Sequence, residues 1–265
     1  MQKITEITSR ENPAVRHYIR LRDKKKARRE EKLFVLEGLR IVLDALQYPY
    51  LVQQVFMTES VSQADADKIP EKMQETGQIF KIPDAIGKSM SDTEHTQGVF
   101  AVCRMPEQKI SLAPDGKYLV LCQLQDPGNM GMILRTCDAL GTDAVLLSQC
   151  CDLYSPKVIR ATMGSVFRVP VLEIPEPAVL LDLLHENQIC SYAAVPAEHA
   201  VSLTDCRFSG GCAVWIGNEG NGLPDSVISA CDKAVTIPMS GGAESLNAAM
   251  AAGILTWEMM KSDQK

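Results

Sequence analysis

The sequence predicts an α/β protein with an open, mostly parallel sheet. Short apolar runs alternate with segments of helical periodicity through most of its 265 residues, an order typical of parallel sheets. Three glycine-containing polar stretches each follow an apolar run: DPGNMG at 126–131, GNEGNGLP at 217–224 and the stretch within IPMSGGAESLNAAMAAG at 237–253. Loops at the carboxyl ends of parallel strands share one edge of a sheet, where such sheets bind ligands. We therefore expect an enzyme site there, in the second half of the chain.

The composition is that of a globular protein, with 46% hydrophobic and 23% charged residues. The first residues lack the apolar core of a signal peptide, and no apolar run approaches the roughly 20 residues that span a bilayer. A cytoplasmic location with no membrane partner is therefore expected. The nine cysteines never form a CxxC pair, so reduced core thiols are favoured over disulfides or zinc ligands, and no metal is predicted.

The charge is unevenly distributed along the chain. The net charge is −6, yet residues 16–32 contain nine Lys or Arg against three acids. A basic segment on an acidic protein is typical of phosphate recognition, although such a run is often only a solvated face. The candidate RNA-binding residues are Lys24, Lys25, Lys26, Arg28 and Arg29.

The first half reads as a small α/β domain over residues 1–104. Asn12 and Pro13 predict a helix start, and the basic run is interpreted as lying between that helix and the next strand. Residues 105–116, with Pro106 and Pro114, read as a linker. The predicted strands are 33–36, 51–57, 78–82 and 99–103, and the predicted helices are 39–47, 64–76 and 84–90.

The second half, residues 117–265, carries the three loops. Gly141 is expected to end a helix that begins at Gly131, and Ser155 with Pro156 is expected to start another. A further helix is expected from 245 onward. The predicted strands are 118–123, 144–147, 169–172, 192–195, 213–216 and 234–237, and the predicted helices are 131–140, 155–167, 177–187 and 225–231.

At the three loops the sequence resembles the SpoU (TrmH) family of the SPOUT RNA methyltransferases. The matching motifs are DPGNMGMILRTCDALG, IGNEGNGL and IPMSGGAESLNAAMAAGI, in that order. LFVLEGLRIV and HTQGVFAV resemble the ribosomal-protein-like substrate-binding domain that many members carry. The resemblance implies a C-terminal trefoil knot, which no periodicity argument predicts. It also implies a homodimer and S-adenosylmethionine as cofactor.

The resemblance assigns roles to particular residues. Asn129 and Arg135 match the family's residues at the ribose and phosphate, Glu219 its acidic residue, and Ser245 with Asn247 its third-motif polar pair. Asn247 also reads as a plain helix-start residue, and Arg135 as a surface arginine; the motif context favours function for both. The implied cofactor contacts are Gly217, Asn218, Gly220, Ile237, Met239 and Leu246.

The activity implied is methylation of a ribose 2′-hydroxyl in structured RNA. Arg135 would orient the hydroxyl and stabilise negative charge, since a guanidinium stays protonated. Ribosomal RNA is favoured over transfer RNA by analogy with members that carry a similar first domain. A catalytically silent RNA-binding module is the alternative. A dinucleotide-dependent enzyme is disfavoured because DPGNMG lacks the GxGxxG spacing. The sequence names neither the target nucleotide nor the proton acceptor.

Overall fold

A computed structural model describes residues 4–48, 51–73, 77–107, 110–197 and 200–261. The chain forms two compact units. The first comprises Met1–Glu107 with Tyr154–Phe167, and the second comprises Gln108–Leu153 with Arg168–Lys265. The domain boundaries expected from the sequence remain an interpretation. They assign residues 154–167 to the second domain, whereas these residues pack within the first unit.

The helices and strands follow the alternation that the sequence predicts. The strands are β1 Ile4–Glu6, β2 Leu33–Glu37, β3 Val52–Thr58, β4 Gln78–Ile82, β5 Val99–Arg104, β6 Lys117–Cys122, β7 Ala144–Ser148, β8 Val171–Glu173, β9 Cys190–Ala194, β10 Val201–Ser202, β11 Cys212–Ile216 and β12 Lys233–Thr236. The helices are α1 Pro13–Asp23, α2 Lys25–Glu31, α3 Leu39–Ala45, α4 Gln63–Ala66, α5 Lys68–Lys72, α6 Asp84–Met90, α7 Pro127–Leu140, α8 Pro156–Thr162, α9 Pro177–Glu186, α10 Asp225–Ala230 and α11 Ala248–Lys261. The short strands β1 and β10 were not predicted.

The first unit is built on a five-stranded mixed sheet in the order β1-β4-β3-β5-β2. The α1 helix covers this sheet with an apolar face centred on Tyr18, which is 1% exposed. The Tyr18 ring meets Phe56 and Phe100 edge to face, and its hydroxyl donates to the Leu36 carbonyl oxygen at 3.2 Å. Because a buried hydroxyl without a partner is costly, this bond accompanies the burial of the ring.

The helix expected over 64–76 is wrong as a single element. The structure has two short helices, α4 and α5, and residues 74–76 lie outside the described part of the chain. Pro70 is the physical reason, because its ring clashes with the carbonyl of residue 66 and it has no N–H to bond there.

Residues 154–167 also depart from the continuous helix expected over 155–167. The Ser155 hydroxyl caps α8 by accepting from the Val158 N–H at 3.4 Å, as expected. The helix then ends because Met163 and Gly164 both have positive φ, 50° and 90°. A single 3-10 turn follows. Within the first unit, the Arg160 guanidinium pairs with the Asp92 carboxylate at 2.8 Å.

The second unit contains a seven-stranded sheet in the order β10-β12-β9-β11-β6-β7-β8. Every strand pair is parallel, which confirms the sheet type expected from the sequence. The central strands β6 and β11 are buried along their whole length. The chain leaves β6 toward β7 on one side, while β11 lies on the other. In such sheets, ligands bind at the carboxyl ends of strands beside a reversal of this kind.

The sequence predicts no segment that spans a membrane. None of the helices in the described ranges combines the length and the apolar character that crossing a bilayer requires.

Candidate active site

The first motif forms the start of a helix rather than a loop before one. The structure begins α7 at Pro127, four residues earlier than expected, because Asp126 caps it and Pro127 suits the first helical position. The Asp126 carboxylate accepts from the Asn129 N–H at 2.7 Å. Asn129 consequently lies in the first turn of α7 and is 5% exposed.

The second motif supplies a carboxylate that binds this helix start. Glu219 follows β11 and accepts from the backbone N–H groups of Gln125 and Asp126 at 3.1 and 2.9 Å. It also accepts from the Asn129 side-chain amide at 3.1 Å. Burial raises the pKa of Glu219, but these N–H donors outweigh it, so the pKa lies below its ordinary value. Glu219 is therefore held as a carboxylate.

The third motif joins the same group of side chains. Asn247 precedes α11, which begins three residues later than the expected start at 245. Its Oδ1 accepts from the Ala249 and Met250 N–H groups, at 2.9 and 3.3 Å, and caps the helix. Its Nδ2 donates to the Asn129 Oδ1 at 3.0 Å. Asn247 is thus both a helix cap and a member of the Glu219–Asn129–Asn247 chain of hydrogen bonds.

The loop after β11 is a closed turn that has room only for glycine at position 217. The Asn218 and Gly222 backbones bond to each other in both directions, at 2.9 and 3.0 Å. A Cβ at position 217 would lie 2.2 Å from the Gly222 carbonyl carbon. Any larger residue would force this turn open, because the obstructing atoms are backbone.

A cavity of about 500 Å³ lies at the carboxyl ends of β9, β11 and β12. Glu219 and Ser245 line it, whereas Asn129, Arg135 and Asn247 do not. The six residues expected at the cofactor all line it as well: Gly217, Asn218, Gly220, Ile237, Met239 and Leu246. Its volume is in the range of small-molecule sites.

Sequence reasoning missed one wall of this cavity and two of its acids. The wall consists of Ala194, the last residue of β9, and of Val195 and Pro196, which follow it. Their position after a strand was the available signal, but they contain no glycine pair or polar motif. Asp225 and Glu244 also line the cavity, and no Lys, Arg or His does among the described residues. The ionisable groups that line it in the described part of the chain are therefore acidic, which suits a cationic ligand.

Arg135 stands apart from these side chains. It lies on the exposed face of α7, and no hydrogen bond or ion pair joins it to another described residue. The structure thus brings together Glu219, Asn129 and Asn247 but leaves the Arg135 guanidinium available to a ligand.

The basic run lies between α1 and β2, as expected, but most of it is itself helical. Residues 25–29 belong to α2, because Lys, Ala, Arg and Glu all favour helix, and Lys24 directly precedes it. Lys24, Lys25, Lys26 and Arg29 are exposed. Arg28 is only 4% exposed, and its guanidinium donates to the Leu21 and Arg22 carbonyl oxygens at 2.5 and 2.9 Å. Assigning Arg28 to RNA was therefore wrong, since it closes the C-terminal end of α1.

The fold and site together define an α/β enzyme that binds a small ligand at the carboxyl edge of a parallel sheet. Comparison with known proteins identifies its family. Residues 116–257 match the SpoU rRNA methylase family, and residues 12–101 match the MRM3-like substrate-binding domain. The chain belongs to the SpoU rRNA methylase family.

Relatives whose names state an activity match most of the chain. A 23S rRNA guanosine 2′-O-methyltransferase of Bacillus subtilis is 31% identical over 96% of this chain and 98% of its own. A 23S rRNA uridine 2′-O-methyltransferase of Streptomyces viridochromogenes is 32% identical over 70% and 68% of the two chains. Among solved structures, an AdoMet-bound rRNA methyltransferase from Sinorhizobium meliloti is 27% identical, with a TM-score of 0.85 over 99% of both chains.

The lowered pKa of Glu219 predicts a pH-dependent contribution to stability. A depressed folded-state pKa contributes above the unfolded value of about 4.3, and the contribution is lost as the pH falls through the folded value. We therefore expect the unfolding free energy lost on Glu219→Gln to shrink as the pH is lowered from neutral toward the folded value. Urea denaturation of both proteins across this window measures it.

The matched control is Glu186→Gln, which neutralises an exposed glutamate at the end of α9. Its difference from the wild type should change far less over the same window. A Glu219→Gln difference that is constant with pH would contradict the role of the carboxylate.

Proposed function

We propose that this protein methylates a ribose 2′-hydroxyl of ribosomal RNA with S-adenosylmethionine. The observation that carries the proposal is the Glu219–Asn129–Asn247 chain, whose glutamate lines the cavity. These three residues come from the three family motifs. Ribosomal RNA is favoured over transfer RNA because both curated relatives described above are named for 23S rRNA.

The cavity suits S-adenosylmethionine in size and in charge. The residues that would hold it are the turn at Gly217, Asn218 and Gly220 and the segment from Ile237 to Leu246. Asp225 and Glu244 would favour its positive charge. When bound, the cofactor supplies a methyl group that its sulfonium already activates toward an oxygen nucleophile.

The residues around the cavity would then position the RNA. Asn129 and Asn247 fix each other's amides, so little reordering is needed when the ribose arrives. Ser245 adds a hydroxyl on the cavity wall. Arg135 would orient the 2′-hydroxyl and stabilise negative charge on the ribose oxygen and its phosphate. It would not take the proton, because its guanidinium remains charged.

We expect Arg135→Ala to retain S-adenosylmethionine binding while losing most methyl transfer. The arginine does not line the cavity, and removing one donor from developing charge typically costs ~10²-fold in rate or more. Calorimetry measures cofactor affinity, and transfer of labelled methyl to rRNA measures the rate.

Arg207→Ala is the matched control, since Arg207 is another exposed arginine of the same unit. It should transfer methyl at the wild-type rate. Near-normal transfer by Arg135→Ala would refute the role given to this residue. A wild-type protein that binds rRNA but not S-adenosylmethionine would instead be a silent RNA-binding module.

We further propose that α2 and the residue before it contact RNA phosphates through Lys24, Lys25, Lys26 and Arg29. Replacing these four by glutamine should raise the KM for RNA and flatten the salt dependence of binding. Each lost phosphate contact lowers the log–log slope by roughly 0.7 on single strands. Filter binding at several salt concentrations measures the slope.

The chain offers a control of equal charge within the same unit. Lys68, Lys72, Lys81 and Lys88 are also exposed, and replacing all four by glutamine removes the same number of positive charges. If both fourfold variants changed the slope equally, the effect would be one of net charge rather than of α2.

We propose a homodimer that pairs through α7 and α11. Met250, Ile254 and Trp257 are 61%, 36% and 54% exposed, and their spacing places them on one face of α11. Met132, on the neighbouring α7, is 50% exposed. Ala248, Ala249 and Ala252 of α11 are not part of this exposed face, because they are buried within the unit.

Met250→Glu combined with Trp257→Glu should convert the dimer to a monomer, because both changes put charge into an apolar contact. Light scattering at micromolar protein measures the mass. Val179→Glu is the control, since Val179 has the same 54% exposure as Trp257 but lies on α9. A wild-type monomer would refute the dimer.

The trefoil knot in the C-terminal segment is likewise a proposal that rests on family membership. We also propose a cytoplasmic location and a reaction that uses no metal ion, which are the expectations from the sequence.

A further inference from the structure

Three glutamines surround the turn that precedes α7, and the proposed chemistry gives none of them a role. Gln123 and Gln149 directly follow the neighbouring strands β6 and β7. Both have positive φ, 58° and 55°. Residues other than glycine rarely adopt this conformation unless the surrounding contacts hold them there, and such strain collects at functional sites.

Side-chain amides supply these contacts. The Gln123 amide donates to the Gln149 Oε1 at 2.9 Å. The Gln125 amide donates to two carbonyl oxygens, those of Gln123 at 3.2 Å and Gln149 at 3.1 Å. One carboxamide therefore ties the ends of two adjacent strands. Asn218, which follows β11, adds a fourth hydrogen bond by donating to the same Gln123 carbonyl oxygen at 2.9 Å.

Gln125 is connected to the site by its backbone as well. Its N–H donates to Glu219, whose other carboxylate oxygen accepts from Asp126 and Asn129. The side chain of Gln125 thus fixes the position of a backbone donor that in turn fixes Glu219. A change in the carboxamide would reach Asn129 through Glu219, with no contact between Gln125 and the reacting atoms.

We propose that Gln125 is a positioning residue for methyl transfer, acting through Glu219 on Asn129. This inference rests on the proposed function, since it concerns the same reaction. Gln125 does not line the cavity, so its loss should leave cofactor affinity unchanged. The cost falls on the alignment of the ribose, where small misplacements reduce rates by roughly ten- to hundredfold.

The test uses Gln125→Met, which keeps the length of the side chain and removes its donor, and Gln125→Glu, which keeps its shape. Single-turnover methyl transfer to rRNA should fall roughly tenfold or more in both, with unchanged KM for RNA and unchanged S-adenosylmethionine affinity. Combining Gln125→Met with Glu219→Gln should cost little more than Glu219→Gln alone, because residues that act as one unit are not additive.

Gln188→Met is the matched control. Gln188 is an exposed glutamine with φ 59° that precedes β9, at the opposite edge of the same sheet, and it should transfer methyl normally. A raised KM for RNA with preserved kcat would overturn the proposal and make Gln125 an RNA contact. So would normal kinetics of both Gln125 variants, or additive losses in the double variant. Failure of the proposed function is distinguishable, because the wild type itself would then transfer no methyl.

Discussion

The site of the second unit depends on the hydrogen bonds that the Glu219 carboxylate accepts. Its two oxygens accept from the backbone N–H groups of Gln125 and Asp126, which precede α7, and from the side-chain amide of Asn129 in the first turn of α7. Hydrogen bonds to a charged acceptor are stronger than neutral ones. They also satisfy donors at the start of a helix, where no intrahelical partner exists. One side chain from the loop after β11 thereby fixes the loop after β6.

The buried amide of Asn129 extends this constraint to the third loop. An amide that is 5% exposed must bond through both its oxygen and its nitrogen, or pay the cost of desolvation. Glu219 occupies its nitrogen and Asn247 its oxygen. Since Asn247 also caps α11, the start of α11 is fixed relative to the start of α7. The site is consequently organised before any ligand binds.

Charge is divided between separate surfaces of the protein. The ionisable side chains that line the cavity, among the described residues, are acids, whereas Arg135 and the basic residues 24–29 do not line it. This division matches a reaction between a cationic methyl donor and a polyanion. It also explains why a net charge of −6 is compatible with RNA as substrate, because binding depends on local rather than total charge.

The sequence alone predicted the parallel sheet and the six cavity-lining residues from Gly217 to Leu246, because strand–loop–helix order and glycine chemistry are local properties. Tertiary structure decided the rest. It buried Arg28 against the end of α1, and a run of five cations does not show which of its members is buried. It moved residues 154–167 into the first unit and built the wall after β9. It also joined Gln125, Glu219 and Asn129 across about 90 positions of sequence. Such pairings depend on which strands become neighbours, and no local pattern encodes that choice.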